Sequence, residues 1–244
     1  MQGLILAAGM GTRLGEYTKE VPKVMMEIDG KPLLFAALQR LYEQGVTETI
    51  IVVGYKKEYI IERCGDSYKE MKLTYVVNDR YATTNNVYSF YLASQHLNDE
   101  VLMVEGDLLF SKELLDQAVS EKHDCNIVVS RYNRQTMNGT VISVDGDKAT
   151  GLIIKKFQGE DFDYDKVWKT VNIYYFGKNF MEKFSKMLEL YVQTGNLGNY
   201  YELVLGALIY YGDDDIRIVP VAEEDWFEVD DERDLMIARE HGGF

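Results

Sequence analysis

The chain has 244 residues, is 46% hydrophobic and carries a formal charge of −14, which allows a large buried core and excludes disordered and collagen-like classes. The negative balance argues against a nucleic-acid-binding surface, because backbone phosphates would be repelled over most of the protein. Cys64 and Cys125 are too few for a disulfide framework, no Cys/His cluster has zinc-ligand spacing, and no apolar run approaches the roughly twenty residues of a membrane span, so a soluble, reduced, cytoplasmic protein is expected.

Apolar, β-branched runs at 3–7, 49–53, 73–77 and 101–104 alternate with helical patterns, the signature of crossover units and a parallel sheet. Pro32 suits a first helical turn and Gly45 a stop, which predicts a helix over 32–44. Asn85 or Asn86 can cap a second helix running to Leu97, and 111–120 makes a third. From Asn126 the pattern changes to short strands at 127–129, 139–144 and 152–156, with a hairpin turn at Asp145-Gly146. These read as antiparallel additions carrying the acceptor site. Helices follow near 179–194 and 200–211, then a strand at 216–221 and a last helix from Asp231. No repeat or linker interrupts the chain, so 1–244 is expected to be one domain, with parts 1–110 and 111–244. His96, His123 and His241 are scattered, with no nucleophile and orienting acid nearby in sequence, and are expected in surface or structural places.

The first apolar run ends in Leu6-Ala7-Ala8-Gly9-Met10-Gly11-Thr12-Arg13, followed by Pro22-Lys23. A buried strand that opens into a glycine loop offers bare backbone N–H groups to a polyphosphate. Two other phosphate loops are excluded by spacing: a dinucleotide fingerprint starting at Gly9 needs glycine where Leu14 stands, and Gly30-Lys31 runs into Pro32. Residues 1–31 carry four basic and four acidic side chains, so an anionic ligand is not repelled there. An acid also follows a buried strand in Val104-Glu105-Gly106-Asp107, at the strand end where open α/β sheets bind ligands.

This opening resembles that of nucleotidyltransferases, which join a nucleoside triphosphate to a phosphorylated small molecule. The resemblance implies an α/β fold, a Rossmann-like, mostly parallel sheet flanked by helices of the GT-A-like kind, with a small antiparallel acceptor subregion. It also implies that Leu6, Ala7, Ala8, Gly9, Gly11, Thr12, Asn78, Asn85 and Gly106 hold the nucleotide. Arg13 would meet the departing phosphates and Lys23 the α-phosphate. Asp107, with Asp230 of Trp226-Phe227-Glu228-Val229-Asp230, would bind Mg2+. The catalytic set is therefore Lys23, Arg13, Asp107 and Asp230. Asp231 is the nearest mistaken identity, since it also suits the start of a helix.

Further motifs, Asn78-Asp79-Arg80-Tyr81, Asn85-Asn86-Val87-Tyr88-Ser89, Lys169-Thr170-Val171-Asn172 and Tyr200-Tyr201-Glu202, are similar to those of the CTP:phosphocholine and aminoalkylphosphonate cytidylyltransferases. The implied reaction transfers CMP from CTP to a phosphorylated or phosphonate amino compound. A sugar-1-phosphate nucleotidyltransferase and a silent nucleotide-binding regulatory domain are the rivals, and fusion to another enzyme and oligomeric state are open. The acceptor end is rich in rings (Trp168, Tyr174, Tyr175, Tyr200, Tyr201, Trp226), and aromatic faces attract ammonium groups. Tyr200 and Tyr201 point about 100° apart on a helix. Tyr201 with Glu202 and Asn172 is the expected acceptor site.

Overall fold

The structure is a computed structural model that describes residues 1–242, apart from the His241 side chain; the expected place of that histidine lies outside the described residues. The first half runs β1 (Gln2–Ala7), α1 (Tyr17–Glu20), β2 (Glu27–Ile28), β3 (Lys31–Pro32), α2 (Leu33–Glu43), β4 (Glu48–Val53), α3 (Lys57–Cys64), β5 (Ser67–Tyr68), β6 (Met71–Val77), α4 (Asn86–Ser94), β7 (Val101–Glu105), β8 (Leu108–Phe110) and α5 (Lys112–Ala118). The second continues through β9 (Cys125–Arg131), β10 (Val141–Asp145), β11 (Lys148–Ile153), β12 (Trp168–Phe176), α6 (Lys178–Gln193), α7 (Glu202–Tyr211), β13 (Ile216–Pro220), β14 (Trp226–Glu228) and α8 (Glu232–His241).

Ten strands form one sheet in the order β10-β11-β13-β9-β12-β7-β1-β4-β6-β5. Strands β7, β1, β4 and β6 are parallel neighbours, as the alternating helical patterns predict. Strand β12 enters antiparallel between β7 and β9, so the sheet is mixed through its centre. The alternation of the strands divides the core. Leu4, Ile50, Val52 and Met103 face the side covered by α4, α6 and α7, while Ile5, Ile51, Val53 and Val104 face α2 and α5. Side chains buried to this degree are worth about 1.5–3 kcal/mol each, which makes a one-residue register slip prohibitive.

Local chemistry sets the helix ends. Ser111 Oγ accepts from Leu114 N at 3.2 Å, and the Asn85 side chain accepts from Asn86 N at 2.8 Å. Asp231 caps α8 in a reciprocal box with Asp234. Two expectations shift. The strand expected at 152–156 begins earlier, because the turn after Asp145 needs only Gly146 and Asp147, with Gly146 at φ 62°, before Lys148 pairs back. Residues 155–157 form a 3-10 turn instead. The strand β12 was not among the expected elements, since Lys169, Thr170 and Asn172 interrupt its apolar run, although all three are buried. Among the described residues no helix is long and apolar enough to cross a membrane.

Candidate active site

A cleft of about 880 Å3 opens at the carboxyl ends of β1 and β7. The loop after β1 forms one wall. Gly11 adopts φ 61°, and a Cβ there would lie 2.8 Å from Lys23 Cβ, so glycine is required both by conformation and by the approach of the lysine. Gly9 lines the cleft with no protein atom within 4 Å of a would-be Cβ.

Lys23 is 9% exposed, although it is a lysine. Its Nζ donates to Asp107 Oδ2 at 2.6 Å and to Asp230 Oδ1 at 2.9 Å. Arg13 grips Asp230 with two bonds, at 2.8 and 3.0 Å. The four residues expected to form the catalytic set thus converge. Burial opposes the Lys23 charge, but Asp107 and Asp230 outweigh it and hold the ammonium pKa above the ordinary lysine value. Burial also opposes ionisation of Asp230, and Lys23 followed by Arg13 brings its carboxyl below the usual range.

Two short pairings bring the C-terminal part of the chain to its middle. Leu108 of β8 lies opposite Glu228 of β14, and Val229 N donates to Asp107 O at 3.0 Å. A separate apolar cluster of Leu14, Met26, Ile28, Val229 and Leu235 packs the glycine loop against α8. Asp230 is thereby fixed beside Arg13, and Asp231 is turned to its capping role.

Glu105, Asp107 and Glu228 present carboxylate oxygens within 4.8 Å of one another. Asp107 Oδ1 is buried and unpaired. Burial, then repulsion from Asp107 and neighbouring Glu202 and Glu228, raises the Glu105 pKa well above its ordinary value. Burial likewise pushes Glu228 up to about 7, partly opposed by Lys169. Of the expected pair of metal acids, Asp107 belongs to this group, while Asp230 lies outside it and shares the Lys23 ammonium with Asp107. Glu105 and Glu228 were missed as site residues. Their signal was the repeated Glu-x-Asp spacing, which puts two carboxylates on one side of an extended chain.

Glu202 is 5% exposed and lines the cleft wall with Asn86, Thr140, Lys169 and Asn172. Asn172 sits at φ 61°, and its Nδ2 donates to Glu105 Oε2 at 3.2 Å. Tyr201 departs from expectation: its ring is fully buried against Phe90 and Tyr174 and does not line the cleft. Its hydroxyl donates to Glu105 Oε1 at 3.1 Å, so it supports the site from beneath, while the neighbouring Tyr200 faces the cleft. One of the two rings faces the cleft, as expected, but it is Tyr200, and both precede the helix, which begins at Glu202. Tyr201 is the residue that enters the core, where a ring of its size gains most.

Two nucleotide-site expectations are also corrected. Gly106 does not line the cleft; a Cβ there would meet Val24 at 2.8 Å and Leu6 O at 3.2 Å, so it is a close-packing position. The Asn78 amide does line the cleft, but it donates to Thr84 Oγ1 and Ser89 Oγ and accepts from Arg80 N, which commits its N–H donors to holding its own loop. Leu6, Ala7, Ala8, Thr12 and Asn85 line the cleft.

Comparison with known proteins agrees with this geometry. The model of the MobA-like NTP transferase domain matches residues 3–183. The CMP-5'-(3-aminopropyl)phosphonate synthase of Streptomyces rubellomurinus is 33% identical over 236 residues, 96% of this chain and 37% of the relative. The UTP--glucose-1-phosphate uridylyltransferase AglF of Haloferax volcanii is 34% identical over 124 residues, 51% of this chain and 50% of the relative. The matched stretches thus span half or less of these relatives' lengths. The CTP:phosphocholine cytidylyltransferase structure from Streptococcus pneumoniae shares the fold, with TM-score 0.80, 23% identity and 98% of both chains covered. The chain belongs to the MobA-like NTP transferase domain family, and its relatives are nucleotidyltransferases.

Proposed function

We propose that the protein transfers CMP from CTP to a small phosphorylated or phosphonate amino compound and releases pyrophosphate. One observation carries the reading: a single cleft is lined by a triphosphate-type loop, by Lys23 between two aspartates, and by a buried carboxylate, Glu202. A relative aligned over 96% of the chain at 33% identity is named for CMP and an aminoalkylphosphonate, whereas a sugar-phosphate guanylyltransferase aligned over 93% is 28% identical.

An acceptor phosphate or phosphonate oxygen attacks the α-phosphorus of CTP. The bond from that phosphorus to the bridging oxygen breaks, and pyrophosphate leaves with the electron pair. The nucleophile is already ionised near neutral pH, so no general base is required. The loop backbone after β1 holds the triphosphate, Arg13 meets the departing phosphates, and Lys23 acts at the α-phosphate, where charge builds. Hard carboxylate oxygens suit Mg2+, and the unpaired Asp107 Oδ1 supplies a donor atom without a protein partner. Asp107 and Asp230 would hold the ion, with Glu105 and Glu228 adjacent. Bound there, it neutralises phosphate charge.

Incubation with Mg2+ and each of four nucleoside triphosphates, against amino-phosphates and sugar 1-phosphates with pyrophosphate as readout, tests the reading. CTP with an amino-phosphate or aminophosphonate should give turnover. Turnover with sugar 1-phosphates alone supports the sugar reading, and nucleotide binding without any turnover supports a silent regulatory domain.

A further inference from the structure

We infer that the acceptor carries a primary ammonium group, held through its N–H bonds by Glu202 and Thr140, and that a trimethylammonium acceptor is excluded. This inference rests on the cytidylyltransferase reading and narrows its acceptor class.

Glu202 is a cleft-lining carboxylate more than nine-tenths buried. Its side-chain partners are Asn86 Nδ2 at 3.5 Å and Thr140 Oγ1 at 3.4 Å, both long contacts, and its own backbone N–H adds to them. Among the described residues no lysine, arginine or histidine forms an ion pair with it; Lys169, the nearest influence, is paired to Glu228 at 3.7 Å. An uncompensated buried carboxylate is costly, and a cationic ligand relieves that cost. Thr140 Oγ1, which donates to Glu202, keeps lone pairs free for a second N–H.

The rings that would cage a quaternary ammonium are already committed. Tyr174 and Tyr201 are fully buried in the core. The Arg131 guanidinium covers the Trp168 face at 3.7 Å, Lys169 stands over Trp226 at 5.5 Å, and Lys122 over Tyr175 at 5.6 Å. Of the two tyrosines that line the cleft, Tyr81 stands beside Ala8 and Gly54 at the glycine-loop wall and meets Tyr55 edge-on, which leaves Tyr200, and one ring does not make a cage. A trimethylammonium group has no N–H to offer, so Glu202 would stay without hydrogen bonds from the ligand, the situation in which polar sites reject an analogue most strongly.

The test measures kcat/KM with CTP for 2-aminoethylphosphonate, phosphoethanolamine, its N-methyl and N,N-dimethyl derivatives, and phosphocholine. The expected series falls with each methyl, by at least ~100-fold from primary to quaternary. Glu202→Gln should raise KM for the primary amines roughly tenfold with the CTP dependence nearly unchanged, and should raise it less for any residual phosphocholine turnover, which loses charge attraction but no hydrogen bond. Thr140→Val, which keeps the carboxylate, should give a smaller effect in the same direction and serves if Glu202→Gln does not fold. Phosphocholine used as well as the primary amines, or equal loss for both classes in the variants, overturns this inference while leaving cytidylyl transfer intact. Absence of turnover with every amino-phosphate overturns both.

Discussion

Lys23 sits between two aspartates in the nucleotide-free protein, at 2.6 and 2.9 Å. A triphosphate offers the same ammonium a competing set of oxygens, so nucleotide and metal should bind cooperatively as the lysine changes partners. Lys23→Ala should lower kcat by about a hundredfold or more, with a smaller change in the CTP requirement, as steady-state kinetics will show. Intact turnover with weakened CTP dependence would make it a binding residue only. The same variant, free of nucleotide, should bind Mn2+ more tightly than the parent in an electron paramagnetic resonance titration, because no ammonium competes for Asp107 and Asp230. Unchanged affinity would place the ion elsewhere. One residue along the chain, Asp230 and Asp231 separate cleanly. Asp230→Asn gives up charge facing Arg13 and Lys23 and should be inactive, whereas Asp231→Asn keeps a good helix cap and should retain activity and melting temperature. The opposite outcome would mean the terminal motif acts one residue later.

The loop after β1 shows at element scale how two glycines in one motif serve different ends. Gly11 needs its left-handed backbone and the space that Lys23 fills, whereas Gly9 faces open cleft. Gly11→Ala should destabilise the fold by at least ~1–2 kcal/mol, and Gly9→Ala should leave the melting temperature unchanged while weakening CTP binding. Calorimetry paired with nucleotide titration checks both, and equal losses of stability would remove the distinction. The helices were legible because their caps are local: Ser111, Asn85 and Asp231 each act within four residues. Strand β12 was not, because its polar residues are accommodated by a cleft that exists only once the sheet has formed. Tyr201 was misplaced for the same reason, since adjacent positions on a helix start differ only in what packs against them.

Across the whole molecule, the acids gathered under the cleft impose a pH dependence. Burial raises the pKa of Glu105, Glu202 and Glu228 above the unfolded carboxyl value of about 4.3, reaching about 7 for Glu228. The folded state then binds more protons than the unfolded state in that window, so stability falls as pH rises from 4.5 to 7. Asp230 acts in the opposite sense: its lowered pKa contributes stability above the unfolded value that is lost on acidification. In chelated protein the melting temperature should therefore decline from mildly acid to neutral pH, and Glu228→Gln should flatten the decline. A parent that grows steadily more stable up to pH 7.5 would refute this balance. The sequence by itself determined the parallel strands and their crossover helices and the glycine loop, because each is written in local periodicity or in a compact motif, while its resemblance to nucleotidyltransferases singled out Arg13, Lys23, Asp107 and Asp230. Only the tertiary structure decided that Lys23 meets an acid 84 residues away and Arg13 one 217 away, that Glu105 and Glu228 join them, and that Tyr201 is core while Tyr200 lines the cleft. The physical reason is that convergence and burial come from packing between segments distant in sequence, as where Leu14 and Leu235 close one cluster, and no local pattern records which face of a residue its distant neighbours will cover.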